Sequence, residues 1–345
     1  MPERKSELNV VFGCMTFGKE GTEPARVFDP ETCREILQVF LDHGHTEIDT
    51  ARTYCSGTSE QYLGLIQADK MGCKVQTKLY PTTGMAQSGL LAAIAAENMI
   101  EHTPEGLRKH LKASLEALKV KKLDMWYLHG PDRTTPYEVT LKAVNDLYKD
   151  GLFERFGVSN YYSWEVAEMV TLCRSNGWIQ PTVYQGLYNV INRNVEVELF
   201  RCLRKYGMSF YAFNPLGGGF LTGRYSKEKI AEVEKGSRFD PERNFGKNYR
   251  ARYFNDSTFA ALEVVRAACE SHGLSMAEVS LRWMNHHSAM KKEHGDSIII
   301  GASSLQHTKD NMEYLDKGPL PETLVVELGR AWSVAKPTAA NYFHP

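Results

Sequence analysis

Residues 103–128 read TPEGLRKHLKASLEALKVKKLDMWYL, and this stretch predicts one helix followed by one strand. Thr103-Pro104 provides a side chain suited to capping a helix and a proline suited to its first turn. Four leucines recur at the spacing of one helical face: Leu107, Leu111, Leu115 and Leu118. The run Met125-Trp126-Tyr127-Leu128 then predicts a buried strand. Repetition of this helix–strand unit along the chain decides the fold class.

Seven further short runs predict strands, and helical patterns separate them: Val10–Phe12, Glu47–Asp49, Lys74–Thr77, Phe156–Val158, Thr182–Tyr184, Ser209–Ala212 and Ser297–Ile300. Alternating strands and helices predict parallel strands, and eight such units are the number that closes a (β/α)8 TIM barrel. An open, doubly wound sheet would usually have fewer strands and begin with a glycine fingerprint. We therefore predict an α/β protein in which residues 1–345 form a single barrel domain.

Additional segments decorate the predicted barrel. Gly217 to Asp256 follows the seventh strand, is rich in Gly, Arg and Lys, and predicts a long irregular loop. Two interpretations stay open, because such a loop either binds or covers a ligand or is a solvated basic insertion. Extra helices are predicted in the C-terminal part: Phe259–His272, Ser275–His287, Leu305–Leu315 and Glu322–Val334.

Composition narrows the choice of partner. The chain is 42% hydrophobic and 24% charged, which is typical of a globular protein with a sizeable core. The formal net charge of −1 creates no overall field that would attract nucleic acid or an anionic membrane. We expect the partner to be a small molecule and not nucleic acid or a membrane. A homodimer stays open.

The sequence predicts a cytoplasmic location without a metal site. No apolar signal core follows Met1, and no apolar run approaches the length of a membrane span. Seven scattered cysteines lack C-x-x-C pairs, which argues against a disulfide framework and against zinc. His43 and His45 lack a matching set of carboxylates or thiols, and the adjacent His286 and His287 splay around a helix.

Titratable side chains lie at the predicted C-terminal ends of three strands. Asp49 ends the second strand and Tyr54 follows it, Lys78 ends the third, and His129 ends the fourth. In TIM barrels these ends meet on the face where active sites are built. Each residue alone is more often structural. Together they predict an acid site, because a tyrosine with a solution pKa of about 10 needs a nearby cation to donate its proton.

In this hypothesis Lys78 stabilises the phenolate of Tyr54, and Asp49 keeps Lys78 charged and in place. His129 orients a carbonyl group. Such an acid needs a hydride donor, yet the chain contains neither G-x-G-x-x-G after a strand nor a P-loop. Polar side chains at the later strand ends suit a nicotinamide cofactor instead: Ser159, Asn160, Gln185, Asn214, Ser303 and Ser304. The ring of Phe213 would stack on the nicotinamide, although an apolar residue there also suits core packing.

These motifs match a known family: Asp49-Thr50-Ala51 with Tyr54, Thr77-Lys78, Tyr127-Leu128-His129, Gly157-Val158-Ser159-Asn160 and Asn214-Pro215-Leu216. The set resembles the aldo-keto reductases over nearly the whole chain. A second set resembles the aflatoxin B1 aldehyde reductase branch in a fungal-type form: Gly44–Glu47, Leu128–Asp132, Trp164–Glu168, Pro181–Gly186, Leu221–Tyr225, Leu281–Met284 and Asn341–Phe343.

The resemblance implies an NADPH-dependent enzyme that reduces an aldehyde or ketone to an alcohol. Tyr54 would be the proton donor, Asp49 and Lys78 its tuning pair, and His129 the residue that orients the carbonyl. The implied cofactor residues are Ser159, Asn160 and Gln185 near the carboxamide, Phe213 and Asn214 beside the nicotinamide, Leu216, Gly218 and Arg224 along the pyrophosphate, and Ser303, His307 and Asn311 near the adenosine.

Several positions depart from the family pattern. Phe213 replaces the usual Tyr or Trp, Arg224 replaces Lys, and His307 replaces Gln or Arg, which makes preference for the 2′-phosphate less secure. Near Tyr54, Cys55 replaces Gly, and Arg52-Thr53 replaces apolar residues. At the C-terminus His344 replaces the Arg that, together with Arg252, would meet a substrate carboxylate.

Two other functions stay open at this point. One is a tailoring aldo-keto reductase of secondary metabolism that acts on one elaborate intermediate. The other is a non-catalytic, redox-sensing subunit in which the bound cofactor reports its state, although no long N-terminal extension precedes the barrel here. Because a fold does not determine a substrate, the carbonyl compound itself is not predicted.

Overall fold

A computed structural model describes residues 3–83 and 99–344 and shows eight parallel strands closed into a barrel. The strands are β1 Asn9–Gly13, β2 Glu47–Asp49, β3 Lys74–Leu79, β4 Leu123–Leu128, β5 Phe153–Ser159, β6 Val183–Leu187, β7 Ser209–Phe213 and β8 Ser297–Ile300. Each strand pairs with its neighbour in sequence, and β8 pairs with β1 to close the ring, with Asn9 opposite Ser297. The predicted TIM barrel is confirmed.

Helices surround the barrel. The helices in the described residues are α1 Pro30–Asp42, α2 Thr58–Leu65, α3 Pro104–Leu118, α4 Tyr137–Lys149, α5 Ser163–Asn176, α6 Leu199–Tyr206, α7 Asn244–Tyr253, α8 Asp256–Ser271, α9 Met276–His286, α10 Leu305–Asp316 and α11 Glu322–Ala335. Thr103 caps α3 as predicted, since its hydroxyl accepts a hydrogen bond from the Gly106 N–H. The four C-terminal helices, α8 to α11, lie where the helical patterns place them.

Alternation along the strands separates two apolar clusters. On β4, Met125 and Tyr127 belong to a small cluster inside the barrel, while Trp126 and Leu128 belong to the larger cluster between strands and helices. Such alternation follows from the two-residue period of a strand. A polar network fills the N-terminal end of the barrel, where Glu47 accepts from Gln76 and Arg155 at 2.5 and 2.8 Å. The barrel is therefore a packed core that supports a site at its other end.

The segment from Gly217 to Asp256 lies after β7 as predicted, but it is not irregular throughout. It contains short 3-10 turns at Gly217–Thr222 and Lys227–Glu232 and the ten-residue helix α7. Its aromatic rings are buried against one another, since Phe220 lies 5.5 Å from Tyr253 and 6.1 Å from Phe239 between ring centroids. The segment is therefore packed into the main apolar core, which a solvated insertion would not be.

In residues 3–83 and 99–344, none of the helices combines the length and the apolar character needed to cross a membrane.

Candidate active site

A cavity of about 1180 Å³ opens at the C-terminal ends of the strands. The predicted site residues that line it are Asp49, Tyr54, His129, Asn160, Gln185, Phe213, Asn214, Leu216, Gly218, Arg224, Arg252, Ser303, His307, Asn311 and His344. Lys78 and Ser159 lie behind this surface and are fully buried. A second cavity of about 540 Å³ lies between Gly223–Lys229 and α8, and it contains none of the four predicted catalytic residues.

Asp49 and Lys78 form a buried ion pair at the cavity wall, with Asp49 on the cavity side. The Lys78 Nζ atom donates to Asp49 Oδ2 at 2.6 Å and to the Thr50 carbonyl oxygen at 2.7 Å, and the side chain has no solvent exposure. Burial lowers the pKa of Lys78, while the Asp49 carboxylate acts in the opposite direction. The second oxygen of Asp49 accepts from Gln185 Nε2 at 2.9 Å. Asp49 therefore links the two strands that carry Lys78 and Gln185.

Tyr54 lies over this pair on a tight turn between β2 and α2. The Lys78 Nζ atom lies 5.0 Å from the centroid of the Tyr54 ring. Burial raises the pKa of Tyr54 well above its usual value, and the Asp49 and Tyr249 charges add to this, while Arg238 opposes it. This direction differs from the predicted lowering by Lys78, because the sequence does not show how strongly the site excludes water. In this state Tyr54 keeps its proton at neutral pH.

His129 lies beside Tyr54, with 5.8 Å between ring centroids and an edge-on arrangement. Burial lowers the pKa of His129 well below its usual value, and Lys78 and His344 lower it further. The imidazole is therefore neutral at neutral pH. Its Nδ1 atom is buried and has no hydrogen-bond partner within the described residues. His129 therefore presents an uncharged ring to the cavity.

Asn160 and Ser159 form a connected polar edge after β5. Asn160 has a left-handed backbone with φ of 66°, and its Nδ2 atom donates to the His129 carbonyl oxygen at 2.8 Å and to Ser159 Oγ at 3.0 Å. Asn160 thus keeps its side-chain oxygen available to a ligand in the cavity, while Ser159 acts through Asn160 and does not face the cavity.

Asn214 and the segment after β7 meet at Tyr249. The Tyr249 hydroxyl donates to Asn214 Oδ1 at 3.0 Å and accepts from Arg238 Nη1 at 2.9 Å. Burial raises the pKa of Tyr249, but Arg238 and Arg252 outweigh this and leave it below its usual value. Asn214 Nδ2 is buried and unpartnered within the described residues. Sequence reasoning gave no site role to Tyr249 or Arg238; their position on a segment that packs over the cavity is the signal that was missed.

Cationic and polar side chains gather at the far end of the cavity. Arg224 Nη2 lies 3.2 Å from His307 Nε2, and His307 Nδ1 lies 3.1 Å from Ser303 Oγ. Burial and the Arg224 charge lower the pKa of His307 below its usual value, so this ring is neutral near pH 7. Asn311 Nδ2 donates to the Gly301 carbonyl oxygen at 3.4 Å. The predicted adenosine and phosphate residues therefore lie together.

The mouth of the cavity contains the two predicted substrate residues. Arg252 lies over the Tyr249 ring, 5.6 Å from its centroid. His344 Nδ1 lies 2.9 Å from the Tyr80 hydroxyl, and the Tyr80 ring lies edge-on to His129 at 5.4 Å between centroids. Burial, Arg252 and Arg133 lower the pKa of His344 to about 4, so it is neutral. Tyr80 was not predicted as a site residue, because it lies two residues beyond Lys78, where the sequence analysis ended the third strand.

The cavity suits a dinucleotide in shape and chemistry. Gly218 lies so close to Tyr249 that an added Cβ would be 2.3 Å from its ring, which shows how tightly the backbone is packed there. Arg224 and Arg238 add positive charge to the lining of the cavity. Within residues 3–83 and 99–344, no cluster of three or more His, Cys, Asp or Glu side chains could hold a metal ion.

A closed (β/α)8 barrel with a tyrosine, a buried Lys–Asp pair and a histidine at its C-terminal face defines an oxidoreductase site. Residues 9–332 match the Aldo/keto reductase family. The chain is 46% identical to an aldo-keto reductase of Pseudocercospora fijiensis over 89% of this chain and 100% of the relative. It is 38% identical to aldo-keto reductase pigE of Monascus ruber, over 99% and 98% of the two chains.

A human relative extends these similarities. The chain is 40% identical to aflatoxin B1 aldehyde reductase member 4 of Homo sapiens, over 93% of this chain and 95% of the relative. The chain therefore belongs to the aldo-keto reductase family and is similar to its aflatoxin aldehyde reductase branch. It is an oxidoreductase that reduces carbonyl groups.

Proposed function

We propose that the enzyme reduces an aldehyde or ketone to an alcohol with NADPH, and that Tyr54 is the proton donor. The observation that carries this proposal is the proximity of three groups: the Tyr54 ring at the cavity surface, the Lys78 Nζ atom 5.0 Å from the ring centroid, and the Asp49 carboxylate bonded to Lys78 at 2.6 Å. His129 flanks Tyr54 at the same surface. When bound, the nicotinamide supplies hydride to the carbonyl carbon.

The chain's own residues supply the proton and its control. Tyr54 donates its hydroxyl proton to the carbonyl oxygen, and neutral His129 orients that oxygen. The raised pKa of Tyr54 keeps the proton in place until charge develops on the substrate oxygen. Lys78 then stabilises the phenolate, and it does so strongly because the surroundings exclude water. Asp49 and the Thr50 carbonyl oxygen hold Lys78 in position.

We propose the following positions for the cofactor. Asn160 and Gln185 hold the carboxamide, and Phe213 packs against the nicotinamide ring. Asn214 lies beside the nicotinamide, and Leu216, Gly218 and Arg224 line the pyrophosphate. Ser303, His307 and Asn311 hold the adenosine end, where the Arg224 charge favours NADPH over NADH. Arg252 and His344 contact the substrate beyond the carbonyl. We further infer a cytoplasmic, single-domain enzyme, which seven free cysteines support, six of them buried.

The test is Tyr54→Phe. This variant should abolish reduction across a panel of aldehydes and ketones while NADPH still binds, because only the transferable proton is removed. Tyr211→Phe is the matched control: its phenol is buried in the barrel and donates to Glu47 at 3.0 Å, away from the cavity. Turnover in Tyr54→Phe would reject the donor. A protein with Tyr54 intact that binds NADPH but reduces nothing in the panel would favour the redox-sensing subunit.

A further inference from the structure

The turn that carries Tyr54 has an unfavourable backbone. Cys55, Ser56 and Gly57 follow it with φ of 51°, 54° and 86°. Of these three residues only glycine adopts the left-handed region readily, so Cys55 and Ser56 persist there only if surrounding contacts fix them. The proposed chemistry depends on where this turn places the Tyr54 hydroxyl, yet it assigns no role to the residues that hold the turn.

Arg52 precedes the Tyr54–Gly57 turn, and its side chain reaches across the turn. Its backbone N–H donates to the Lys78 carbonyl oxygen at 2.9 Å, which ties it to β3. Its side chain spans the turn, and Nη1 donates to Glu60 Oε2 on α2 at 3.1 Å. The guanidinium packs on Gly57, where an added Cβ would lie 2.9 Å from Nη1. Arg52 and Glu60 therefore bracket the Tyr54–Gly57 turn.

Glu60 is the fixed end of this bracket. Its side chain has no solvent exposure, and its other oxygen accepts from Thr77 Oγ1 at 2.6 Å. Thr77 directly precedes Lys78 on β3. Burial of a carboxylate destabilises the folded protein unless a cation and hydrogen bonds satisfy it. The ion pair with Glu60 therefore holds the Arg52 guanidinium in place. The ion pair thus joins the turn to the strand that carries Lys78.

We propose that Arg52 and Glu60 are positioning residues that set the Tyr54 hydroxyl relative to Lys78 and His129. Arg52 does not line the cavity, so it acts through the turn and does not touch substrate or cofactor. The inference rests on the proposed function, in which Tyr54 is the donor. It also gives a role to Arg52, which the proposed mechanism leaves without one.

The first experiment compares Arg52→Met with Arg204→Met. Arg204 also pairs with a carboxylate of zero exposure, Asp296, at 2.5 Å, but at the opposite end of the barrel. With folded protein counted by NADPH titration, Arg52→Met should lower kcat by about 10-fold to about 100-fold, the range that misplaced reacting groups cause. The NADPH Kd should not change. Arg204→Met should lower Tm but not kcat. Unchanged kcat in Arg52→Met would overturn the inference.

Further variants keep the test decisive if Arg52→Met folds poorly. Arg52→Met with Glu60→Gln removes both charges together and so avoids an unpaired buried carboxylate; its kcat should still fall, and a wild-type kcat would overturn the inference. Arg52→Lys should restore part of kcat. The isotope effect on kcat with deuterated NADPH should be at least as large in Arg52→Met as in the wild type, because the loss falls on the chemical step; a smaller isotope effect with lowered kcat would overturn the inference.

A double-mutant cycle separates the two proposals. Steady-state reduction should be lost in Tyr54→Phe, so the comparison uses the slow single-turnover rate that remains without the donor. Adding Arg52→Met should not lower that rate further, since Arg52 acts through the Tyr54 hydroxyl. A further loss would overturn the inference. Wild-type turnover in Tyr54→Phe would instead reject the proposed function. Inactive Tyr54→Phe beside a fully active Arg52→Met would reject only the positioning role.

Discussion

Tyr54 and Lys78 have pKa values that move in opposite directions for the same reason. Burial disfavours the charged form of each group, so it raises the pKa of Tyr54 and lowers that of Lys78. Asp49 opposes the effect on Lys78 through a 2.6 Å contact. Tyr54 therefore keeps its proton. The Lys78 ammonium, which would stabilise the negative charge of the phenolate, is held in place by the Asp49 carboxylate. In the proposed mechanism, Tyr54, Lys78 and Asp49 therefore act together as the acid.

Arg252 provides a prediction about substrate charge. If its guanidinium pairs with a substrate carboxylate, Arg252→Ala should weaken kcat/KM for a carboxylated aldehyde by about 1.5–3 kcal/mol, the size of a charge-assisted hydrogen bond. A neutral aldehyde of similar length should be spared. His344→Arg should strengthen discrimination for the acid, since neutral His344 adds no charge near the mouth.

Arg250→Ala is the control for Arg252→Ala. Arg250 lies on the same helix but donates to the Phe239 carbonyl oxygen and packs over Phe254, away from the cavity. Steady-state kinetics with the two aldehydes measure the effect. Equal losses on charged and neutral substrates would show that Arg252 orders the segment and does not contact the substrate.

Among the elements, the 3-10 turn at Gly217–Thr222 follows β7 at the cavity wall. Gly218 and Gly219 both have positive φ, at 70° and 103°. A Cβ on Gly218 would lie 2.3 Å from the Tyr249 ring, whereas a Cβ on Gly219 would have no neighbour within 4 Å. The two positions therefore separate backbone strain from a steric clash on Tyr249.

Gly218→Ala should weaken NADPH binding by about 10-fold more than Gly219→Ala, which is about 1.4 kcal/mol. Both variants bear the strain of a left-handed alanine, about 1–2 kcal/mol. Only Gly218→Ala also displaces Tyr249 from Asn214. Fluorescence titration with NADPH measures the difference. Equal Kd values would show that Tyr249 does not shape the cofactor site.

The elements that the sequence predicted are those whose pattern is local. The strands and α8 to α11 were predicted because apolar spacing defines them. Helix α7 was missed because its buried side chains include only two large rings, Tyr249 and Tyr253, within a polar run. Gly246 also weakened the helical pattern, because glycine has a low helix propensity. The structure requires glycine there for packing, since an added Cβ would lie 1.8 Å from the Asp240 carbonyl oxygen.

The same distinction holds for the site. Barrel topology was enough to bring Asp49, Lys78 and His129 together, because strand ends converge. The left-handed Cys55 and Ser56 could not be predicted, since neither residue favours that backbone. The bond from Gln185 to Asp49 also depends on register across the barrel. The single-domain extent, the homodimer and the individual cofactor contacts stay predictions.

For the molecule as a whole, buried histidines make stability depend on pH. His45 is 1% exposed, and burial, with Arg4 and His43, lowers its pKa to about 3. Its Nδ1 accepts from the Val10 N–H at 3.3 Å, so a proton there would meet another donor. Burial likewise lowers the pKa of His102 to about 4. Both rings are therefore neutral in the folded protein at neutral pH.

The free energy of unfolding should therefore fall as the pH drops below about 6.5, the pKa of histidine in the unfolded chain. Below that pH the unfolded chain binds protons on these histidines and the folded chain does not. Above that pH neither state binds them, and the stability is fully present. Each such histidine contributes about 1.4 kcal/mol per pH unit. His45→Asn, which keeps an acceptor for Val10, should reduce the slope by that amount between about pH 6.5 and about pH 4.5 in urea unfolding. Parallel slopes would contradict this account.

Closure of the barrel has a consequence for synthesis on the ribosome. Strand β1 pairs with β8, and the paired Asn9 and Ser297 side chains lie 288 residues apart in sequence. At roughly 5–20 residues per second, the β1 edge waits roughly 15–60 s for its partner. During that time the apolar faces of β1 and an open strand edge are exposed to other nascent chains. A message that stops short of β8 should therefore yield aggregates, and chaperone binding should persist until Ile300 has left the exit tunnel.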